Sequence, residues 1–157
     1  MIQLSVGADD RTGALEAAGA CADAGSGPVL VVAALPAAGG GVVVVDLATR
    51  HLDGRGAAGR AAALEAASGG AVSAHKIDST LRGNWAEEVV ARHRVAGRRI
   101  LVVPSLPASG RTCVGGVVFD HGRPVGDGPA GGDARTPVRS SRPADHLRLA
   151  GAHDVVE

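Results

Sequence analysis

The chain has no tyrosine, one tryptophan and one phenylalanine, so its core must be assembled from Val, Leu and Ala through many small contacts. Its two cysteines, Cys21 and Cys113, have neither the density of a disulfide scaffold nor metal-ligand spacing, and both read as small packing residues. The histidines likewise show no metal-like spacing, and no metal site is expected. Net charge is zero, with 16 basic and 16 acidic residues, and no basic run is interleaved with aromatics; this excludes the usual footprint of a nucleic-acid binder. No apolar run reaches the roughly 20 residues of a membrane span, because Pro36 and the Gly39–Gly41 cluster interrupt the stretch from Pro28 to Asp46. The first residues lack the basic start and long apolar centre of a secretory leader, so the expected location is the cytoplasm. Neither G-x-x-x-x-G-K-[ST] nor a G-x-G-x-x-G after a strand occurs, and no ATP site of either familiar kind is expected.

Two residue types are rare in an informative way. All but one of the 16 basic residues are Arg, and the exception, Lys76, shares a short segment with the only asparagine, Asn84.

The length suits one domain, which at about 150 residues buries roughly 70% of the surface its unfolded chain exposes. Ile2–Val6, Val29–Ala34, Val42–Leu47, Ala71–Ile77 and Ile100–Val103 read as strands, several as unbroken β-branched runs buried on both faces. Thr12–Ala24, Ala57–Ala67 and Trp85–Val95 read as the intervening helices. That alternation predicts a doubly wound, mostly parallel α/β sheet with helices on both faces, a three-layer α/β/α arrangement. Beyond Arg111 the pattern changes to a hairpin, Val114–Phe119 and Pro124–Val125 around an Asp120–Arg123 turn. A mobile Gly-rich loop over Gly126–Asp133, a helix over Pro143–Leu149 and the start of a strand at Asp154–Glu157 complete the expectation.

Ligands of open α/β sheets bind outside the carboxyl ends of the strands. The residues that follow the predicted strands are Asp9, Asp10 and Thr12; Arg50; Lys76, Asp78, Ser79, Arg82, Gly83 and Asn84; and Gly110 with Arg111. Lys76, Arg82 and Arg111 suit a carboxylate or phosphate, whereas the carboxylates suit hydroxyls that donate hydrogen bonds. A small molecule with one anionic end and several hydroxyls satisfies both. Lys76 is expected to reach that ligand or to order Asp10 or Asp78. Plainer readings stand beside these: Asp9, Asp10 or Thr12 as helix caps, Arg82 paired with Glu87 or Glu88, and Trp85 as a core residue.

The same loops resemble the N-terminal domain of the four-carbon acid sugar kinases, which act on threonate, erythronate or oxo-tetronates. A-D-D-x-T-G-A runs from Ala8 to Ala14, with Arg11 where the family has Leu, and K-I-D-S-T-L-R-G-N runs from Lys76 to Asn84. D-x-x-[ST]-R-H-L fits Asp46–Leu52, G-R-T-x-x-G-G fits Gly110–Gly116, and T-P-V-R spans Thr136–Arg139. The resemblance implies a sugar-acid site lined by Asp9, Asp10, Thr12, Arg50, Lys76, Asp78, Ser79, Arg82, Gly83, Asn84, Gly110 and Arg111, with Asp10 as the base. It implies ATP and Mg2+ as co-reactants, held by a separate ATP-binding domain outside this chain or by a nucleotide-binding partner chain, and leaves room for a homodimer. On that reading residues 1–157 form a shortened substrate-binding domain, inactive as a kinase alone. The alternatives are a non-catalytic acid-sugar binding or sensing module and a decayed fragment of such a kinase.

Overall fold

The computed structural model describes residues 1–34 and 40–157; the Pro36–Gly39 interruption noted above lies outside them. The elements are β1 (Ile2–Ala8), α1 (Arg11–Asp23), β2 (Val29–Val32), β3 (Gly41–Asp46), α2 (Gly54–Ala67), β4 (Val72–Lys76), α3 (Trp85–Ala96), β5 (Arg111–Val114), β6 (Val117–Asp120), β7 (Arg123–Pro124) and α4 (Pro143–Leu149). β2, β3, β1 and β4 form one parallel sheet in that order. A second, antiparallel sheet joins β5, β6 and β7. The mostly parallel α/β architecture is the expected one.

Alternation along β3 accounts for the layering. Val42 and Val44 pack with Ala14 and Ala18 of α1 on one face, while Val43 and Val45 meet Ala61 and Leu64 of α2 on the other. Alanines at the helix contacts let backbone approach backbone in a chain poor in large side chains. Local signals set the helix ends. The Asp10 carboxylate accepts from the Gly13 amide at 2.7 Å and the Asp53 carboxylate from the Gly56 amide at 2.6 Å. α3 stops at Gly97, whose φ of 65° an L side chain would resist.

Around α3 and α4 lies a separate core of Leu81, Trp85, Val90, Val118, Val125 and Leu147. Trp85 is completely buried, as its plainer reading required.

Several expectations fail. Ile100–Val103 forms no strand: Leu101 is 87% and Val103 69% exposed, and only Val102 of the segment packs on the core. Strand propensity gives a segment no place in a sheet unless a neighbour pairs with it. β2 is an edge strand with Leu30 and Val31 exposed, not one buried on both faces. The predicted Val114–Phe119 strand is divided by Gly115 and Gly116, whose φ values of 54° and 75° make a tight two-residue turn and yield a three-stranded meander. Gly126–Asp133 is not an unanchored loop. Val125 and Ala130 are buried there, Ala130 O accepts from the Val138 amide at 3.0 Å, and a side chain on Gly131 would collide with the Gly126 carbonyl. Asp154–Glu157 pairs with no strand; Glu157 instead meets Arg142 at 2.9 Å and Arg148 at 3.2 Å. Cys21 packs beside the α1 core, but Cys113 is exposed and carries no packing role. Among the described residues no helix is long and apolar enough to cross a membrane.

Urea denaturation separates the buried face of α3 from the exposed segment that follows it. Trp85→Ala should cost about 3–5 kcal/mol, as for other fully buried aromatics. Leu101→Ala should stay within about 0.5 kcal/mol of the parent, whereas a buried strand at Ile100–Val103 would make it far costlier.

Candidate functional site

β1 lies between β3 and β4, so the chain leaves the sheet's carboxyl edge at three adjacent points. Past β1 and β3 the two loops stay zipped together. Ala8 O accepts from the Leu47 amide at 2.9 Å, and Asp9 O accepts from the amides of Thr49 at 2.9 Å and Arg50 at 3.2 Å. Ala48, at a φ of 49°, makes the bend that presents Arg50 to the loop after β1.

Arg50 is the centre of the cluster. Its Nε and one terminal nitrogen donate to the two oxygens of Asp9 at 2.7 and 2.9 Å, a bidentate fork. The other terminal nitrogen donates to Asp10 Oδ2 at 2.6 Å, and Asp78 Oδ1 lies 3.6 Å from the terminal nitrogen that serves Asp9. Asp9 is 1% exposed, and burial pushes its carboxyl up from the ordinary value while Arg50 works against that shift. Asp78 goes the other way. Burial would raise its carboxyl, but hydrogen bonds from Arg82 and Thr80, with the charges of Arg82 and Arg50, hold it well below the usual carboxylate range. Arg82 forks onto Asp78 at 3.0 and 2.9 Å and reaches Asp133 at 3.6 Å. Glu87 and Glu88 are therefore not its partners.

Gly83 is required at its position. Its φ is 85°, and a β-carbon would stand 3.2 Å from Asp9 Oδ2 and 3.4 Å from the Arg50 side chain. The Asn84 amide donates to Thr49 O at 3.0 Å and Leu52 O at 2.9 Å, tying the loop after β4 to the loop after β3. Asp10 does cap α1, Thr12 is exposed in the first turn of that helix, and Ser79 sits half-buried beside Asp78.

Three expected members stand apart. Lys76 orders neither Asp10 nor Asp78: its ammonium lies 3.0 Å from Ile77 O and 3.2 Å from Glu16, because α1 presents Glu16 over the end of β4. Gly110 and Arg111 belong to the meander, where Arg111 donates to Ser109 O at 2.6 Å and meets Asp120 at 2.8 Å. None makes a hydrogen bond or ion pair with the Arg50 cluster among the described residues.

Behind the cluster is a buried polar chain of which the sequence reading named only Glu88. His75 meets Glu88 at 2.6 Å, and Arg92 donates to Glu65 at 2.8 Å. In front of the cluster a cleft of about 550 Å³ opens between Arg50, Gly83 and Asn84 on one side and Arg135, Thr136 and Arg139 on the other. That second wall was not among the expected site residues. The T-P-V-R match spanned it, but no strand precedes it to mark it as a strand-end loop.

Residues 4–157 match the sugar-binding N-terminal domain family. Over 128 residues the chain is 41% identical to a D-threonate kinase of Cupriavidus necator, covering 76% of this chain and 30% of that protein. Over 82 residues it is 39% identical to a D-erythronate kinase of Heliobacterium modesticaldum, covering 51% and 19% respectively. It superposes with a TM-score of 0.82 and 29% identity on a domain of unknown function from Bordetella bronchiseptica, crystallised with bound citrate as a domain-swapped dimer, covering 93% of this chain and 39% of that one. The chain thus spans well under half the length of each of these relatives.

Asp78→Asn should lower stability near neutral pH by about 1–3 kcal/mol, the worth of a charge-assisted pair discounted because the Arg82 side chain is 35% exposed. A carboxyl held below its unfolded value near 3.9 contributes fully above that value and loses its contribution as pH falls through the folded one. The gap between parent and variant should therefore be flat from about pH 7 to pH 5 and close only below about pH 4. Chemical denaturation across that range measures it; a gap that widens on acidification would contradict the assignment.

Proposed function

Because the chain belongs to the sugar-binding N-terminal domain family, we propose that it binds a four-carbon acid sugar, D-threonate or D-erythronate, in the cleft beside Arg50 as the substrate-binding part of an ATP-dependent kinase. The observation that carries this reading is the carboxylate cluster gathered on Arg50, a residue that lines the cleft. Asp9, Asp10 and Asp78 are fixed by guanidinium groups yet retain acceptor capacity, the complement of a chain of hydroxyls. Of the three side chains Asp10 is the most open, at 28% exposure against 1% for Asp9 and 9% for Asp78. Asp10 is therefore our assignment for the group that accepts the proton of the reacting hydroxyl. Gly83 and Asn84 line the cleft and Thr12 and Ser79 follow the carboxylates in sequence, whereas Lys76 and Arg111 pair elsewhere and Gly110 precedes the meander. The citrate bound to the Bordetella neighbour, a hydroxy acid, agrees with a site for small polar acids.

The residues present do not fit the nucleotide half of the reaction. The carboxylates of the cluster are engaged by arginines, no group of three metal-ligating side chains occurs among the described residues, and the sequence has neither phosphate-cradling glycine loop. On our reading, ATP and Mg2+ are held by another domain or a nucleotide-binding partner chain, and this chain acts in the cytoplasm. Its own part is to orient the acid sugar and take up the hydroxyl proton.

Two measurements test the reading. Saturating D-threonate or D-erythronate, at about 100 times the dissociation constant, should add about 2.7 kcal/mol of stability, a rise in Tm of about 5–10 °C. No shift with either acid would remove the acid-sugar assignment. With ATP and Mg2+ the chain alone should not turn over either acid, and turnover should appear when a nucleotide-binding domain is supplied and vanish again in Asp10→Asn. A non-catalytic binding module shares the thermal shift but never gains turnover.

A further inference from the structure

The three cations first expected to hold the acid's negative end are all occupied. Lys76 is paired with Glu16, Arg82 with Asp78, and Arg111 with Asp120. Arg50 is surrounded by Asp9, Asp10 and Asp78. Beside the cleft, which Arg50 lines, two guanidinium groups, those of Arg50 and Arg82, are therefore set against the carboxylates of Asp9, Asp10, Asp78 and Asp133. A further carboxylate placed there would meet more negative charge than positive.

The opposite wall has the reverse character. Arg135 and Arg139 line the cleft, and among the described residues neither guanidinium has an ion pair or a side-chain hydrogen bond. Their backbone is nonetheless held firmly. Asp133 Oδ1 accepts from the amides of Arg135 at 2.9 Å and Thr136 at 2.8 Å, and the intervening Val138 is 3% exposed, its amide bonded to Ala130 O. Behind the wall His146 lies against Trp85, with ring centroids 5.6 Å apart, and Nε2 of His146 donates to Ser140 O at 2.8 Å. Two unneutralised arginines on an anchored segment line the same cleft as Arg50, on which the carboxylates are gathered, and so form a polarised site.

We infer that Arg135 and Arg139 hold the carboxylate end of the ligand, so that the acid lies across the cleft with its hydroxyl chain towards Asp10 and Asp78. This rests on the acid-sugar reading given above and adds the orientation. Guanidinium groups present fixed parallel donors that match a carboxylate, and a lost charged hydrogen bond costs enough to read as about tenfold or more in affinity.

The test uses the Arg Nε–Hε resonances in nitrogen-15 spectra of the whole chain, with two probes: D-threonate, and butyrate as a carboxylate of the same carbon count without hydroxyls. Both should shift the Arg135 and Arg139 signals, D-threonate at far lower concentration. Arg135→Gln/Arg139→Gln should weaken D-threonate at least tenfold by calorimetry, and Arg135→Gln alone should diminish the shift that butyrate causes in the Arg139 signal. Arg123→Gln, an exposed arginine on β7 outside the cleft, should leave both unchanged and so excludes a mere effect of net charge. If the double variant keeps parental affinity for D-threonate, the carboxylate is held elsewhere and the inference falls while the acid-sugar reading survives. If butyrate moves the two signals but D-threonate binds no better than butyrate, the carboxylate site stands and the hydroxyl-recognising floor does not. If neither probe moves the signals and no four-carbon acid binds, both fall.

Discussion

One guanidinium holds the carboxyl edge of the sheet together. Arg50 arrives from the loop after β3, forks onto Asp9 and reaches Asp10 after β1, and approaches Asp78 after β4. Three carboxylates so close together and so little exposed would repel one another without an intervening cation. Breaking such a buried pair from one side typically costs about 3–5 kcal/mol, because the remaining charge has no solvent to turn to. The sheet order makes this knot geometrically available: β1 lies between β3 and β4, so its loop can be bound from both sides. Gly83 then completes the closure, since only a residue without a β-carbon lets the loop after β4 approach Asp9 and Arg50.

The parts of this arrangement legible in the sequence are those written in local patterns. A short strand pattern gave β1 and a β-branched run gave β3, and small-residue and amphipathic periodicities gave α1, α2 and α3. The polar residues after three of the strands marked Asp9, Asp10, Arg50, Asp78 and Gly83 as neighbours. What stayed illegible depends on partners distant in sequence. Ile100–Val103 has the composition of a strand but no paired neighbour, and Gly115–Gly116 needed a left-handed turn at both positions before it could be told from a strand bulge. Lys76 looked like a ligand contact because it is rare, yet its partner Glu16 sits on a helix whose rotation no periodicity specifies. Arg111 was placed beside the site by a strand that does not form.

Rarity and charge type are thus weaker guides than neutralisation. Arg50 and Arg82 are each surrounded by carboxylates, so their positive charge builds the site and is not free for a ligand. Arg135 and Arg139, unremarkable in a chain so rich in arginine, are distinguished by lining the cleft with no carboxylate partner among the described residues. A chain of zero net charge can in this way present a strongly polarised cleft.

Trp85 has a consequence for how the molecule can be watched. Its indole is fully buried, donates to Leu81 O at 3.2 Å, and lies against the His146 ring that borders the cleft. With no tyrosine to contribute and no second tryptophan, ultraviolet emission above 295 nm excitation comes from this one ring. Anything that moves that histidine alters the surroundings of the indole, so the brightness of the chain follows the packing of a cleft residue. The native protein is in that sense its own optical gauge, wired to the wall of its site and requiring no attached dye.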